Sequence, residues 1–277
     1  VNKSNIGDDE FGHMYEALDR LVNAMEETVR FAGKIGHGEF DASYQPLSQE
    51  DKLGASLIEM KDRLKAYQIN EQHLKRENQR SLISGEEKER SRLSKELHDG
   101  LGPLLTLLRI KLEAISIDGM ERKELLVMID NTIREMRRIS NNLMPSVLMD
   151  FGAGEAIRNM VNQLTAEGLD VKYQYDANTE VKIADNIQIA LYRVAQEAIN
   201  NVIKHSGATV LNMSITEFED RVSLFVKDNG EGFDVKSAKS GNGIRNMRER
   251  VNVEKGIFEI ESGVNGTIIE VEIPLNE

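Results

Sequence analysis

Residues 222–233 read VSLFVKDNGEGF, a strand-like run that ends in a glycine-rich loop. The first half alternates apolar and polar side chains, which predicts a half-buried β-strand. Asp228, Gly230 and Gly232 follow it, and glycines in such a loop allow a ligand to approach the backbone closely. Taken alone, the loop is equally well explained as a turn at the end of a strand.

Two neighbouring segments supply side chains that complement this loop. In QEAINNVIKH, residues 196–205, Glu197 and Asn201 stand four positions apart, on one face of a predicted helix. A carboxylate and an amide oxygen in this arrangement suit Mg²⁺, which usually keeps several waters and bridges substrate phosphates. Further along, Gly241 and Gly243 open a second predicted helix, whose N-terminal amides favour anionic oxygen.

The most regular periodicity in the chain precedes this region. A first apolar helical stripe is followed by a turn at Gly119 and by a second stripe that ends at Pro145. One such hairpin leaves its stripe half exposed, so two chains are expected to form an antiparallel four-helix bundle. The first stripe comprises Leu93, Leu97, Leu101, Leu104, Leu105, Leu108, Leu112 and Ile115.

A histidine lies at the flank of this stripe. His98 is in LSKELHDGLG, residues 93–102, one position off the apolar seam and beside Asp99. An exposed neutral imidazole is a nucleophile near pH 7, and a neighbouring carboxylate can hold its tautomer or accept its proton. A single histidine on a helix is more often incidental. Pro103 opposes a helix, yet the leucines continue in phase, so we expect a helix that persists with a kink.

The N-terminal part of the chain is predicted to be helical. A helix, a connector beginning GHGEF and a second helix opening EDKLG occupy residues 13–65 and resemble a HAMP linker domain, with a surface turn before a helix as the alternative. Residues 1–12 are interpreted as a tail, with the end of a preceding HAMP unit as the alternative. Residues 66–85 are polar and favour a coiled-coil connector over a single solvated helix.

Four motifs, in one order, resemble the sensor histidine kinases of two-component systems. LSKELHDGLG resembles their phosphoacceptor box, and the segments around Asn201, Asp228 and Gly243 resemble the N, G1 and G2 boxes of the GHKL ATP-binding fold. The short lid and the sequence GNGIRNMRERV, residues 241–251, resemble the NarL/DesK-like subfamily, which phosphorylates response regulators with helix-turn-helix output. The resemblance covers residues 86–277, and the HAMP-like match extends it upstream.

The resemblance implies a role for each of these residues. His98 would be the phosphorylated nucleophile, Asp99 its base or orienting partner, and Glu197 would place a metal-bound water. ATP and Mg²⁺ are the implied cofactors, with Asn201 coordinating the Mg²⁺ and Asp228 accepting a hydrogen bond from the adenine amino group. The remaining nucleotide-binding positions are Gly230, Gly232, Gly241, Gly243 and Thr267.

The resemblance also implies an architecture and partners. The expected fold is multidomain, α then α/β: a HAMP-like parallel four-helix coiled coil in a dimer, an antiparallel four-helix-bundle dimerisation and phosphotransfer domain over residues 86–150, and a C-terminal α/β-sandwich GHKL ATPase domain over residues 151–277. The partners would be a second copy of the chain and a response regulator with a receiver domain, without direct nucleic-acid binding. We expect a cytoplasmic location, as the intracellular part of an inner-membrane sensor whose upstream region is missing from a chain that begins at Val1.

One position departs from the subfamily pattern. A glutamine that positions water to hydrolyse the phosphorylated partner commonly stands five residues after the histidine, where this chain has Pro103. Weak or absent phosphatase activity is therefore predicted. Two other functions stay open: a GHKL ATPase of the chaperone or topoisomerase type, which hydrolyses ATP without phosphohistidine, and a catalytically dead signalling scaffold that only binds nucleotide.

The composition agrees with these expectations. The chain has no cysteine, which excludes disulfides, cysteine zinc sites and a thiol nucleophile, and its net charge of −12 disfavours general nucleic-acid binding. Residues 151–277 carry more acidic than basic side chains, so ATP binding there would depend on Mg²⁺ and backbone amides. Four basic side chains could contact phosphate or the helical bundle, but we interpret them as surface charge. They are Lys204, His205, Arg248 and Arg250.

Overall fold

The computed structural model describes residues 10–46, 48, 51–114, 120–166, 169–178, 180–235 and 242–275. The predictions for Ile115, Gly119 and Gly241 lie outside these residues. The chain divides into two compact units, with the boundary between Arg76 and Glu77. Within the described ranges, no helix combines the length and the apolar character that crossing a bilayer requires.

The first unit holds helix α1 (Glu10–Gly36), a connector and the start of helix α2 (Lys52–Glu96). The Tyr44 ring of the connector stacks on Phe31 of α1 with 4.9 Å between centroids, and its hydroxyl lies 2.9 Å from Thr28 Oγ1. Asp51 precedes α2 and accepts a hydrogen bond of 2.8 Å from the Gly54 amide, which caps the helix. Tyr44 therefore holds the connector against α1, and Asp51 fixes the point at which α2 begins.

In the second unit, α2 continues into a helical hairpin. A π-helical turn, π1 (Leu97–Leu101), joins it to α3 (Gly102–Ala114), and α4 (Met120–Leu143) packs against α3. The Gly102 amide donates to the Leu97 carbonyl in the i to i+5 pattern of a π turn. The predicted continuation of the helix through Pro103 is confirmed, and the distortion at this point is a π turn, which accommodates a residue that has no amide proton.

Polar and apolar contacts hold this hairpin together, but much of its apolar surface stays exposed. The buried Ser94 hydroxyl donates to the carbonyl of Ser140, 3.0 Å away, and lies 3.0 Å from the Met144 carbonyl, which joins α2 to the end of α4. Arg109 Nε donates to Asp130 Oδ1 at 2.7 Å, between α3 and α4. Outside these contacts, large apolar side chains of the hairpin face solvent: Leu101, Leu104, Leu107, Leu108, Ile110, Leu125 and Met128.

The rest of the second unit is a five-stranded sheet covered by helices, as predicted for an α/β domain. The strands lie in the order β1-β2-β3-β5-β4; β1 and β2 are parallel and the other pairs are antiparallel. The elements, in chain order, are α5 (Ser146–Ala166), β1 (Asp170–Asp176), α6 (Asp185–Asn201), the π-helical turn π2 (Val202–Ser206), β2 (Val210–Glu217), β3 (Arg221–Asp228), α7 (Asn242–Val253), β4 (Ile257–Gly263) and β5 (Gly266–Pro274).

The alternation in VSLFVK determines how β3 packs. Val222, Leu224 and Val226 are buried, while the side chains between them lie on the other face of the sheet. Helix α6 buries an apolar face in the same core, including Leu191, Val194 and Ala195. The helix packs on the sheet and so holds its polar residues next to the end of β3.

We expect Leu224→Ala to lower the free energy of unfolding of the second unit by about 2–5 kcal/mol, because it removes a fully buried side chain from the central strand. Urea denaturation followed by circular dichroism measures the change. The control is Val264→Ala, in the exposed turn between β4 and β5, with an expected effect within about 0.5 kcal/mol. Equal effects of the two substitutions would contradict this assignment of the core.

Candidate functional site

One cavity gathers most of the predicted binding residues. It has a volume of about 530 Å³ and lies between α6, π2, the end of β3, the start of α7 and strand β5. The predicted residues that line it are Glu197, Asn201, Asp228, Gly232, Gly243 and Thr267. The three segments that resemble the N, G1 and G2 boxes lie far apart in the sequence and meet at this cavity.

The buried carboxylate of Asp228 stands at the end of β3. The side chain is 5% exposed and lines the cavity. Its Oδ1 accepts a hydrogen bond of 2.7 Å from the Gly230 amide, so the loop after the strand holds the carboxylate in place. Gly230 supports this acceptor without lining the cavity.

Oxygen donors and a helix N-terminus face the cavity from another side. Glu197 and Asn201 project from the last turns of α6, and α7 begins beside them. A Cβ on Gly243 would lie 2.1 Å from Glu197 Oε1, so a side chain there would displace the end of the Glu197 side chain from the first turn of α7. The positive end of the α7 dipole consequently lies next to a carboxylate and an amide oxygen.

This donor set tests the predicted Mg²⁺ site. In the described part of the chain, no group of three His, Cys, Asp or Glu side chains is arranged to hold a metal. Mg²⁺ is commonly held by one or two protein oxygens together with water and substrate phosphates. Glu197 and Asn201 fit a site of that kind, in which water and substrate phosphates would supply the remaining ligands.

The β4–β5 hairpin fixes the glycine-rich loop. Gly232 has a φ of +66°, and a Cβ there would lie 2.0 Å from the Gly263 carbonyl oxygen. The Phe233 amide donates to Ser262 Oγ at 2.9 Å, and that hydroxyl lies 2.8 Å from Thr267 Oγ1. Sequence analysis missed Ser262, which stands opposite Thr267 in the β4–β5 pairing.

Apolar side chains form the walls of the cavity, and sequence analysis did not single them out. They are Ala198, Val202, Val226, Phe233, Ile244, Ile260 and Ile269. An apolar cavity with one buried carboxylate suits a flat heteroaromatic ring that has a hydrogen-bond donor on its edge. Strand alternation could have located Val226, Ile260 and Ile269.

The interpretation of the four basic residues as surface charge is wrong for Arg250, whereas Lys204, His205 and Arg248 are exposed. His205 lines the cavity. Arg248 Nη1 donates to the Phe258 carbonyl at 3.1 Å, and its guanidinium lies 5.0 Å from the centroid of that ring. Arg250 is largely buried against α2, the predicted bundle side. Lys204 is exposed, as expected.

The predicted nucleophile lies elsewhere on the second unit. The side chain of His98 is 77% exposed in π1, and Nδ1 lies 3.0 Å from Asp99 Oδ1. Because a carboxylate only accepts hydrogen bonds, this contact favours the neutral tautomer that has its proton on Nδ1 and its lone pair on Nε2. Neither residue lines the cavity.

Comparison with known protein families agrees with this division. The family model described as "Histidine kinase" matches residues 89–148, the hairpin that contains His98. The model described as "Histidine kinase-, DNA gyrase B-, and HSP90-like ATPase" matches residues 186–277, which contain every cavity-lining residue. The histidine-bearing hairpin and the ATPase domain are thus matched separately and in the predicted order.

Curated relatives extend the match over nearly the whole chain. The sensor histidine kinase MctS of Rhizobium johnstonii is 35% identical over 70% of this chain and 44% of its own length. The signal transduction histidine-protein kinase/phosphatase DegS of Brevibacillus brevis is 32% identical over 94% of this chain and 67% of its own length. The sensor protein VraS of Staphylococcus aureus is 30% identical over 86% of this chain and 71% of its own length. The chain thus spans from less than half to about seven-tenths of these relatives, and it belongs to the sensor histidine kinases of two-component signal transduction.

Proposed function

We propose that this chain transfers the γ-phosphoryl group of ATP to His98 and then to an aspartate of a response regulator. The observation that carries the proposal is the convergence of Asn201, Asp228 and Thr267 on one cavity of nucleotide-binding character, in a chain that also presents an exposed His98–Asp99 pair. Membership in the sensor histidine kinase family supports the same reaction.

Different residues of the cavity bind different parts of ATP. Asp228 accepts a hydrogen bond from the adenine amino group between the apolar walls, with the Thr267 hydroxyl nearby. The phosphates extend toward the N-terminus of α7, whose amides point at anionic oxygen. Asn201 would coordinate Mg²⁺ there, Glu197 would place a metal-bound water, and the ion would neutralise charge on the phosphates.

His98 supplies the nucleophile. Its Nε2 attacks the γ-phosphorus, the bond to the bridging β–γ oxygen breaks, and ADP leaves with that electron pair. The Nδ1 proton stays hydrogen-bonded to Asp99, which stabilises the charged ring that forms. A carboxylate of the response regulator then attacks the phosphorus, the P–N bond breaks, and the imidazole returns to its neutral form.

The proposal includes a homodimer that the exposed apolar face of the hairpin supports. Leu104, Leu108 and Ile110 are each more than half exposed in the single chain. Burying them against a second hairpin would form the four-helix bundle. We further propose that residues 13–65 act as a HAMP-like linker to an upstream membrane sensor, and that the regulator has helix-turn-helix output.

The competing functions make different predictions for labelled ATP. We expect acid-labile label on the wild-type protein and none on His98→Gln, because the substitution removes the lone pair that attacks phosphorus. Nucleotide affinity should be the same in both proteins, since His98 does not line the cavity. Release of phosphate without labelled protein would instead support a GHKL ATPase of the chaperone type. Nucleotide binding without either outcome would support a signalling scaffold.

The close contact at Gly232 predicts a loss of nucleotide affinity on substitution. Gly232→Ala adds a Cβ that collides with the Gly263 backbone, so the loop beside Asp228 must shift, and we expect ATP affinity to fall at least about tenfold, or about 1.4 kcal/mol. Isothermal titration measures it. Gly207→Ala is the matched control, because Gly207 has a similar φ of +62° but open space at its Cβ. Equal losses would show that backbone strain, not the collision, is responsible.

Because Pro103 replaces the glutamine, we predict weak or absent phosphatase activity for this chain. The relative DegS, by contrast, carries the word phosphatase in its name. Pro103→Gln should increase dephosphorylation of the phosphorylated regulator, because it supplies a side-chain amide near His98 that can orient water. Pro103→Ala is the control, since it restores the backbone amide proton without the side-chain amide. Rapid dephosphorylation by the wild-type protein would refute the prediction.

A further inference from the structure

Three charged side chains form a buried cluster between α2 and the ATPase domain. Glu87 of α2 is 6% exposed, and the side chain of Arg193 of α6 is 5% exposed. Arg193 Nη2 donates to Glu87 Oε2 at 2.7 Å, and its Nε lies 3.1 Å from both carboxylate oxygens. Arg250 of α7 donates from Nη1 to Glu87 Oε1 at 2.7 Å. We call these three residues the Glu87 cluster.

The cluster joins three parts of the second unit. Beyond Glu87, Arg193 Nη1 donates to Gln196 Oε1 at 2.9 Å and to the Asn142 carbonyl, 3.3 Å away near the end of α4. Arg193 therefore connects the helix that leads to His98, the end of the hairpin and the helix that carries the cavity residues. Removing one partner would leave an uncompensated buried charge, which is strongly unfavourable.

Ion pairs also surround the Glu87 cluster. Arg250 Nη2 lies 3.3 Å from Glu86 Oε2, and Arg90 donates to Glu86 Oε1 from the next turn of α2. Burial alone would raise the pKa of Glu86, but the hydrogen bond from Arg90 and the charge of Arg250 hold it below its usual value. Ion pairs such as that between Glu86 and Arg250 are replaced by contacts with water when an interface opens, so they suit an interface between domains that move.

The nucleotide cavity and the nucleophile are formed by different residues of the chain. The residues that line the cavity all lie between Glu197 and Ile269, and the hairpin contributes none of them. Glu87 stands eleven positions before His98, which corresponds to about 16 Å along a helix at 1.5 Å per residue. Phosphoryl transfer to His98 requires the γ-phosphate within a few ångströms of Nε2.

We propose that the Glu87 cluster is a latch that holds the ATPase domain in a docked arrangement in which phosphoryl transfer to His98 does not occur. The inference rests on the proposed function, because it concerns access to the same nucleophile. Movement of α2 that withdraws Glu87 separates it from Arg193 and Arg250 and releases the domain. In the described contacts Glu87 reaches both guanidinium groups, whereas Glu86 reaches only that of Arg250, so release depends mainly on the position of the Glu87 carboxylate.

The first test compares Glu87→Gln with Glu89→Gln. The first substitution keeps the shape of the side chain but removes the charge between the two arginines. The second makes the same change two residues away, at an exposed glutamate paired with Arg92 on its own helix. We expect Glu87→Gln to increase the rate of autophosphorylation at saturating ATP about fivefold or more, the lower end of usual coupling, with nucleotide affinity unchanged. Glu89→Gln should match the wild type. An unchanged or reduced rate in Glu87→Gln would overturn the latch.

The second test measures the docked arrangement without relying on activity. Because the chain has no cysteine, Lys95→Cys on α2 and Val264→Cys on the β4–β5 turn would attach a spin label at each site, in chains diluted with unlabelled protein. We expect one narrow distance distribution in the otherwise wild-type chain and an additional longer component with Glu87→Gln. An identical distribution in both proteins would overturn the latch. If no variant is phosphorylated on His98, the proposed function is overturned, and the distance measurement alone then decides whether the latch exists.

Discussion

The structure depends on the division of one helix, α6, into faces with different partners. Its apolar face is fixed in the core against the sheet, so the side chains on its other faces have little freedom of position. Arg193, Glu197 and Asn201 recur at intervals of four, which places them along one stripe of the helix. The first contacts Glu87 and the other two line the cavity. A rigid element thus spans the distance between the helical hairpin and the nucleotide site.

Local patterns predicted the residues of the cavity well, because each motif is short and its chemistry is contained within a few positions. Glu197 and Asn201 follow from helical spacing, and Asp228 follows from a strand that ends in a glycine loop. The walls of the cavity required knowledge of which strands are adjacent. Ser262 joins Thr267 only across the β4–β5 pairing, and no short motif marks it.

Long-range charge pairs were beyond sequence analysis for a physical reason. Glu87 and Arg193 are separated by 106 positions, and a charged residue on a helix is usually exposed to solvent. Arg250 was assigned to the surface on that ground and is instead largely buried. The pairing becomes apparent only when the ATPase domain packs against α2. The predicted HAMP-like fold and the dimer depend on contacts with a second chain and stay predictions.

The π turn at Leu97–Leu101 affects how the faces of this hairpin are counted. A π turn contains one more residue than an α turn, so the helix beyond it is rotated by about 100° relative to an unbroken α-helix. A leucine pattern counted across this point at 3.6 residues per turn therefore assigns the residues beyond it to a face about one position away from the one that they occupy. The angular relation between α2 and α3 is thus set by one inserted residue in the turn that contains His98, the proposed phosphoacceptor. Loss of that insertion would turn the helix bearing the dimer face about its axis while leaving its hydrogen bonding intact.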